Sequence, residues 1–281
     1  MTHSLLILNC PDHPGIVAKI SSFLTSHAAN ITSAHQYSTD SELGHFFIRI
    51  RFCHSDNLEL STLRDLFTPI GAELNASWQF YNCNTRPKLA ILVSKPDHCL
   101  HELLYQHQSG DLHCDITAVI SNHDCHSHLL GHYDIPFHYI PATSDDRKES
   151  EILSLVQDQT DVLVLARYMQ ILSSSFISTY SKNIINIHHS FLPSFKGGNP
   201  YQQAFDHGVK LIGATAHYVT PELDEGPIIA QDVTPITHND TAQSMKTKGK
   251  NLEKSVLATA VQLEIEHRVA RFNHKTVVWT D

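Results

Sequence analysis

The stretch Asp161–Ala166, Asp-Val-Leu-Val-Leu-Ala, limits the possible folds more than any other part of the chain. Five consecutive apolar residues with no polar alternation suit a strand covered on both faces. Such strands belong to parallel sheets sandwiched between helices. Leu89–Val93 and Ile116–Ile120 are runs of the same kind, and Ile135–Pro141, Asn183–His188, Leu211–Val219, Ile228–Val233 and Lys275–Trp279 read as further strands. Helical periodicity recurs between them at Leu100–Gln106, Lys148–Gln157, Tyr201–Phe205 and, at greatest length, about Ala242–His267. The alternation predicts a Rossmann-like, doubly wound and mostly parallel sheet.

The first 82 residues follow another pattern. Ser4–Cys10 is apolar enough for a strand, and Pro11-Asp12-His13-Pro14-Gly15 is a turn with Gly15 at a helix start. Ile16, Ile20, Phe23 and Leu24 recur at helical spacing. Asn30–Thr39 and Gly44–Cys53 alternate as strands, Leu58–Leu74 has helical period, and Ala76–Tyr81 closes as a strand. The order βαββαβ is ferredoxin-like. The expected organisation is a first domain at 1–82, a polar linker at 83–87 ending in Pro87, and a second domain at 88–281.

A chain of 281 residues can build two cores. Its net charge of −9 and lack of a basic run disfavour nucleic acid as a partner. The N-terminal stretch is too short in apolar content for a signal peptide or membrane span. The six cysteines form no CxxC pair, as expected of reduced thiols in a cytoplasmic protein. The 22 histidines do not by themselves make a metal site. His123, Cys125, His126 and His128 match no standard zinc spacing, so a solvated loop is expected there. Cys99 and Cys114 read as buried small residues, and the mixed charges of Lys246–Lys254 as a solvated helix face.

The chemistry concentrates in Asn183–Pro193, Asn-Ile-Ile-Asn-Ile-His-His-Ser-Phe-Leu-Pro. Side chains two apart on a strand share a face, so Asn186 and His188 point one way and Ile187 and His189 the other; His189 is read as structural. A polar pair at the end of a buried strand needs partners, and strand ends are where such sheets bind ligands. A second polar interruption, Leu223-Asp224-Glu225-Gly226-Pro227, supplies a carboxylate. Carboxamide, imidazole and carboxylate together suit carbonyl chemistry. Thr215 and His217 alternate to one face of the neighbouring strand, where they would support the three.

Asn-Ile-His-His-Ser-Phe-Leu-Pro-Ser-Phe-Lys-Gly (186–197) and Gly-Ala-Thr-Ala-His-Tyr-Val-Thr-Pro-Glu-Leu-Asp-Glu-Gly-Pro-Ile-Ile-Ala-Gln (213–231) resemble the folate-dependent formyltransferase fold. The stretch Asp12-His13-Pro14-Gly15-Ile16-Val17, with Ala29-Asn30-Ile31, resembles an ACT domain, a small regulatory module that often binds amino acids where two copies pair. With His189, Leu165–Leu172 and the closing Asn-His-Lys-Thr-Val-Val-Trp, the chain is most similar to the formyltetrahydrofolate deformylase family. The resemblance implies hydrolysis of 10-formyltetrahydrofolate to formate and tetrahydrofolate, balancing the one-carbon folate pool and supplying formate for purine biosynthesis. It implies Asn186, His188 and Asp224 as catalytic residues, with the water's proton going to Asp224 directly or through His188. It also implies folate binding beside Met169, Gln170, Leu172 and Val219, and no cofactor or metal. An amino-acid effector such as glycine or methionine would sit near Asp12, Gly15 and Asn30, in a homo-oligomer; a local reading of Asp12 as a helix cap stays open. Lys196-Gly197-Gly198 is either a loop at the pocket mouth or a plain turn.

The acceptor separates this family from its relatives. Val93-Ser94-Lys95-Pro96-Asp97-His98 has none of the glycines with which relatives wrap a ribonucleotide phosphate, and Asp97 adds a repelling charge. The chain is acidic, and the basic C-terminal domain of relatives acting on initiator tRNA is not expected. Water is therefore the expected acceptor, the alternative being a formyltransferase with an amine acceptor.

Overall fold

The computed structural model describes residues 1–40, 44–194 and 200–280. The chain divides into two compact units, Met1–Arg86 joined by the residues from Trp279 onward, and Pro87–Val278. Lys196-Gly197-Gly198 lies outside the described residues.

In the first unit β1 (Thr2–Pro11), α1 (Ile16–Ser26), β2 (Asn30–Ser38), β3 (His45–His54), α2 (Leu60–Glu73) and β4 (Ser77–Asn82) follow in the expected βαββαβ order. The sheet is antiparallel with strand order β2-β3-β1-β4, so β2 and β4 are its edges. One face is covered by the helices around an aromatic centre in which Phe67 meets Phe23 and Phe80 edge-on at 5.0 and 5.5 Å. Gly15 begins α1 with φ +94°, a conformation that favours glycine. Asp12 does not cap that helix; its carboxylate accepts from the Ser38 hydroxyl instead.

The second unit runs β5 (Lys88–Val93), α3 (His98–Ser109), β6 (Asp115–Ser121), a 3₁₀ turn Asp124–His126, α4 (Ser127–Leu130), β7 (Phe137–Tyr139), α5 (Glu149–Val156), β8 (Val162–Leu165) and α6 (Ser174–Tyr180). It continues with β9 (Asn183–His188), α7 (Pro200–Asp206), β10 (Leu211–Tyr218), β11 (Ile228–Pro235), α8 (Ala242–Ile265), β12 (Val269–Phe272) and β13 (Lys275–Val278). Seven strands form one sheet in the order β11-β10-β9-β8-β5-β6-β7, parallel from β9 to β7 and antiparallel at β10 and β11. Alternate residues of the central strands enter different cores. Leu89, Ile91, Val162 and Val164 pack with α3 and α8, whereas Ala90, Leu92, Leu163 and Leu165 pack with α5 and α6. The unbroken apolar runs are thus explained by burial on both faces.

Besides the short helical turns after β6, α6 and β12 lie outside the expected set. Ser173 caps α6 by accepting from the Phe176 amide at 3.0 Å, so a Ser-rich opening hides a short helix. β12 forms a hairpin with β13 around Asn273, whose φ is +55°. The histidine-cysteine stretch forms the short helical turns after β6. Cys125 is exposed, but His126 is buried with its Nε2 2.8 Å from the Ser94 carbonyl oxygen, correcting the expectation of a solvated loop at that residue. Cys99 and Cys114 are buried. Among the described residues no helix is long and apolar enough to cross a membrane.

Candidate active site

Three elements of the second unit meet at the ends of β8 and β9. β9 delivers Asn186 and His188, and Ile187 joins the core. β10 runs antiparallel beside it, placing His217 opposite Asn186 and Thr215 opposite His188. The loop after β10 then folds back on the strand: the Tyr218 amide donates to the Pro227 carbonyl oxygen at 2.9 Å. A Cβ on Gly226 would stand 1.7 Å from the Tyr218 carbonyl oxygen, so only glycine permits this approach. Asp224, with φ +56°, is turned inward by the fold-back.

The three expected catalytic residues come together. Asp224 Oδ2 lies 3.2 Å from His188 Nδ1, and Asp224 Oδ1 lies 3.6 Å from His217 Nε2. Asn186 Nδ2 is 3.3 Å from the same His217 nitrogen, whose partner Nδ1 faces the Tyr218 carbonyl oxygen at 2.9 Å. Burial pushes the Asp224 carboxyl upward. The contacts with His188 and His217, and their charge, outweigh it and hold the group well below the usual carboxylate range. His188 Nε2 is buried and has no protein partner.

These side chains line a cavity of about 690 Å³. Met169, Gln170, Leu172 and Val219 line it too, as expected, with Ile171 and Leu223. Met169, Ile171 and Leu223 are each more than half exposed, leaving apolar surface at its rim. The loop Arg167–Leu172 is tied down by Ser94, whose amide donates to the Arg167 carbonyl oxygen (3.2 Å) and whose hydroxyl accepts from the Met169 amide (3.0 Å). The glycine-free stretch after β5 thus braces the cavity wall. Thr215 does not line the cavity. Its hydroxyl donates to the Ser190 carbonyl oxygen and accepts from the Leu192 amide and Gln231 Nε2, which fixes the chain leaving β9. Asp12 and Gly15 belong to the β1–α1 turn of the first unit, and Asn30 begins β2 with its side chain exposed.

His189 departs from the sequence reading. β9 ends at His188, so strand alternation no longer governs the next residue, and His189 lines the cavity beside His188 with ring centroids 5.2 Å apart. Burial first, and the Arg167 charge second, push its imidazole down to about 3, so it is neutral at physiological pH. Arg167, Tyr201 and Lys246 are further lining residues that pattern alone did not single out.

Glu253 also corrects the sequence reading. It falls in the stretch expected to be a solvated face of α8, yet it is 1% exposed. Its carboxylate accepts from the Tyr201 hydroxyl (2.6 Å), pairs with His98 Nε2 (2.8 Å) and lies 3.3 Å from Arg167 Nε. The available signal was its place in the i, i+4 row Met245, Gly249, Glu253, Leu257, all buried. His98, Cys99 and Glu253 bring three potential ligand atoms within 4.8 Å of one another. The arginine beside Glu253 opposes a cation there, and burial together with Glu253 pushes the Cys99 thiol far up, away from the thiolate a metal needs. The group is an ion-pair network.

An ACT-like unit joined to a mostly parallel α/β sheet, with Asn, His and Asp at one cavity, defines a folate-type formyl transferase scaffold. The sequence matches the Formyl transferase family over residues 87–261 and the ACT domain family over residues 3–66. It is 48% identical to the formyltetrahydrofolate deformylase of Bacillus subtilis, covering 98% of this chain and 93% of that protein. It is 44% identical to the enzyme of the same name from Synechocystis, covering 98% and 97%. The crystal structure of a formyltetrahydrofolate deformylase from Pseudomonas syringae superposes with a TM-score of 0.94 at 42% identity, covering all of this chain and 95% of that one. The chain belongs to the formyltetrahydrofolate deformylase family.

Proposed function

We propose that this protein hydrolyses 10-formyltetrahydrofolate to formate and tetrahydrofolate, with Asn186, His188 and Asp224 as catalytic residues. The observation that carries the reading is the Asp224–His188 pair, in which Nδ1 faces the carboxylate and Nε2 is buried without a partner at the cavity. An acceptor at Nδ1 fixes the tautomer that leaves the Nε2 lone pair free. Asp224 is too acidic to be an effective base itself, so the proton passes to His188.

Water attacks the formyl carbon and loses a proton to His188 Nε2. The carbonyl π pair moves to oxygen, and the Asn186 carboxamide donates to that oxyanion. The oxyanion then re-forms the carbonyl, the C–N10 bond breaks, and N10 takes the bonding pair and the proton held by His188. Carbon departs with two oxygens as formic acid, which ionises to formate. Water, substrate and these side chains supply every atom and proton of the step. In this reading the folate ring system lies in the slot beside Met169, Gln170, Leu172 and Val219; the apolar lining of the cavity there supports it. Purified protein incubated with 10-formyltetrahydrofolate and no amine is expected to release one formate per tetrahydrofolate; no formate, with tetrahydrofolate appearing only after an amine is added, would refute the hydrolysis.

The ACT-like unit is proposed to bind an amino-acid effector near Asp12, Gly15 and Asn30, glycine or methionine being the first to test, in a homo-oligomer paired along the free sheet edges β2 and β4. Light scattering should give a multiple of 31.6 kDa, and calorimetry should give saturable heat with one of the two. A monomer with no heat from either removes this part of the reading.

A further inference from the structure

Arg167 is held in place with one edge unused. It stands two residues beyond the buried end of β8, and its φ of +64° lies in the left-handed region that residues with a Cβ seldom adopt. Such conformations persist where surrounding contacts enforce them; here the Ser94 amide holds the Arg167 carbonyl. Its side chain is only 12% exposed, with Nε 3.3 Å from Glu253 Oε2. The same carboxylate is occupied by His98 on Oε2 and by Tyr201 on Oε1. Glu253 therefore neutralises the guanidinium from its Nε side while sharing its carboxylate with His98 and Tyr201. Among the described residues nothing accepts a hydrogen bond from either Nη of Arg167, and Arg167 lines the cavity shared by Asn186, His188 and Asp224.

We infer that the free Nη edge of Arg167 is a carboxylate subsite for the formate released by hydrolysis. This rests on the reaction proposed above. A guanidinium presents parallel N–H donors that match the two oxygens of a planar carboxylate. The second oxygen joins the formyl carbon only when water adds, and the planar carboxylate forms only when the C–N10 bond has broken, so the subsite recognises the product and not the substrate amide. Glu253 is the positioning residue that fixes the fork. The other carboxylate source is the glutamate tail of the folate. Two cations line the cavity among the described residues, the mostly covered Arg167 and the exposed Lys246. Arg167 lines the cavity together with the catalytic His188 and with His189, whose ring lies against that of His188. The exposed Lys246 suits the outward-facing tail.

The test uses the full chain without folate. Carbon-13 formate is titrated and its line width followed by NMR; glutamate is titrated in a second arm, as a competitor of bound formate. Saturable formate binding is expected in the wild type. It should weaken about tenfold or more in Arg167→Met, as removal of charge-assisted hydrogen bonds requires. Arg167→Lys keeps a cation beside Glu253 but removes the fork, so it decides the matter if the methionine variant does not fold, and a similar loss is expected. Absence of saturable formate binding in the wild type, or unchanged affinity in a folded Arg167→Lys, overturns the inference. Displacement of formate by equimolar glutamate reassigns the edge to the tail and overturns it equally. Formate release from substrate is assayed separately. Wild type that releases formate but does not bind it at Arg167 loses the subsite alone; wild type that binds formate but releases none loses the hydrolysis.

Discussion

Replacing Asp224 with asparagine is expected to lower kcat for formate release by about 10⁴-fold, the loss seen when the carboxylate behind a general-base histidine is neutralised in the serine-protease triad. The carboxamide fits the same space, so the loss would come from tautomer and charge. Asp224 Oδ2 faces His188 Nδ1 at 3.2 Å, keeping the ring proton on Nδ1. An asparagine can instead turn its NH2 toward Nδ1, which drives the proton onto Nε2 and removes the lone pair that must receive the water's proton. Alanine should cost at least as much, because it also releases His217, 3.6 Å from the other carboxylate oxygen. Linkage supplies a second readout. The native Asp224 carboxyl is pushed up by burial and pulled down further by His188 and His217, ending below its ordinary value. Its contribution to stability is therefore present above the ordinary carboxylate range and lost as pH falls toward the native value. Wild type and Asp224→Asn should differ in stability at neutral pH and converge in acid. A rate within tenfold of wild type would remove Asp224 from the mechanism.

The parts legible in the sequence were those in which one local pattern carried the information. Continuous apolar runs announced strands buried on both faces, and the break in one of them at Asn186 and His188 marked a strand end that opens onto a cavity. Asp224 was legible through the long motif around it, although the fold-back that carries it to His188 depends on the close approach of Gly226 to Tyr218. What periodicity could not reveal were contacts made between elements. That His189 also reaches the cavity was not legible, because the alternation rule holds only while the strand lasts, and β9 ends one residue earlier. Glu253 sits among Lys246, Lys248, Lys250 and Lys254, so composition pointed to solvent. Its burial is intelligible only once Arg167, His98 and Tyr201, from three other segments, are seen around it. Thr215 shares a strand face with His217, but its hydroxyl turns to the chain leaving β9, a choice set by the position of Leu192 and Ser190.

Glu253→Ala is the substitution expected to cost the second unit most. Breaking a buried ion pair by removing one partner typically costs about 3–5 kcal/mol, because the other charge is left without compensation. Here the stranded groups are Arg167, with its Nε already buried, and the Tyr201 hydroxyl and His98. Chemical unfolding followed by a probe within Pro87–Val278 should show the midpoint falling. The double variant Glu253→Leu with Arg167→Met should recover much of the loss, since buried pairs replaced together by apolar side chains of similar volume are often neutral in stability. Recovery would show that the network exists to hold a charge at the cavity wall and not to stabilise the fold. The pH dependence has a definite sign. Burial raises the Glu253 carboxyl, but His98, Arg167 and Tyr201 together bring it below its ordinary value. The wild type's advantage over Glu253→Ala should be full above the ordinary carboxylate range and shrink as pH drops through the native value. A difference that stays under about 1 kcal/mol at neutral pH, the scale of an exposed pair, would mean that Glu253 is solvated in the working protein, and the fixed Arg167 fork would go with it.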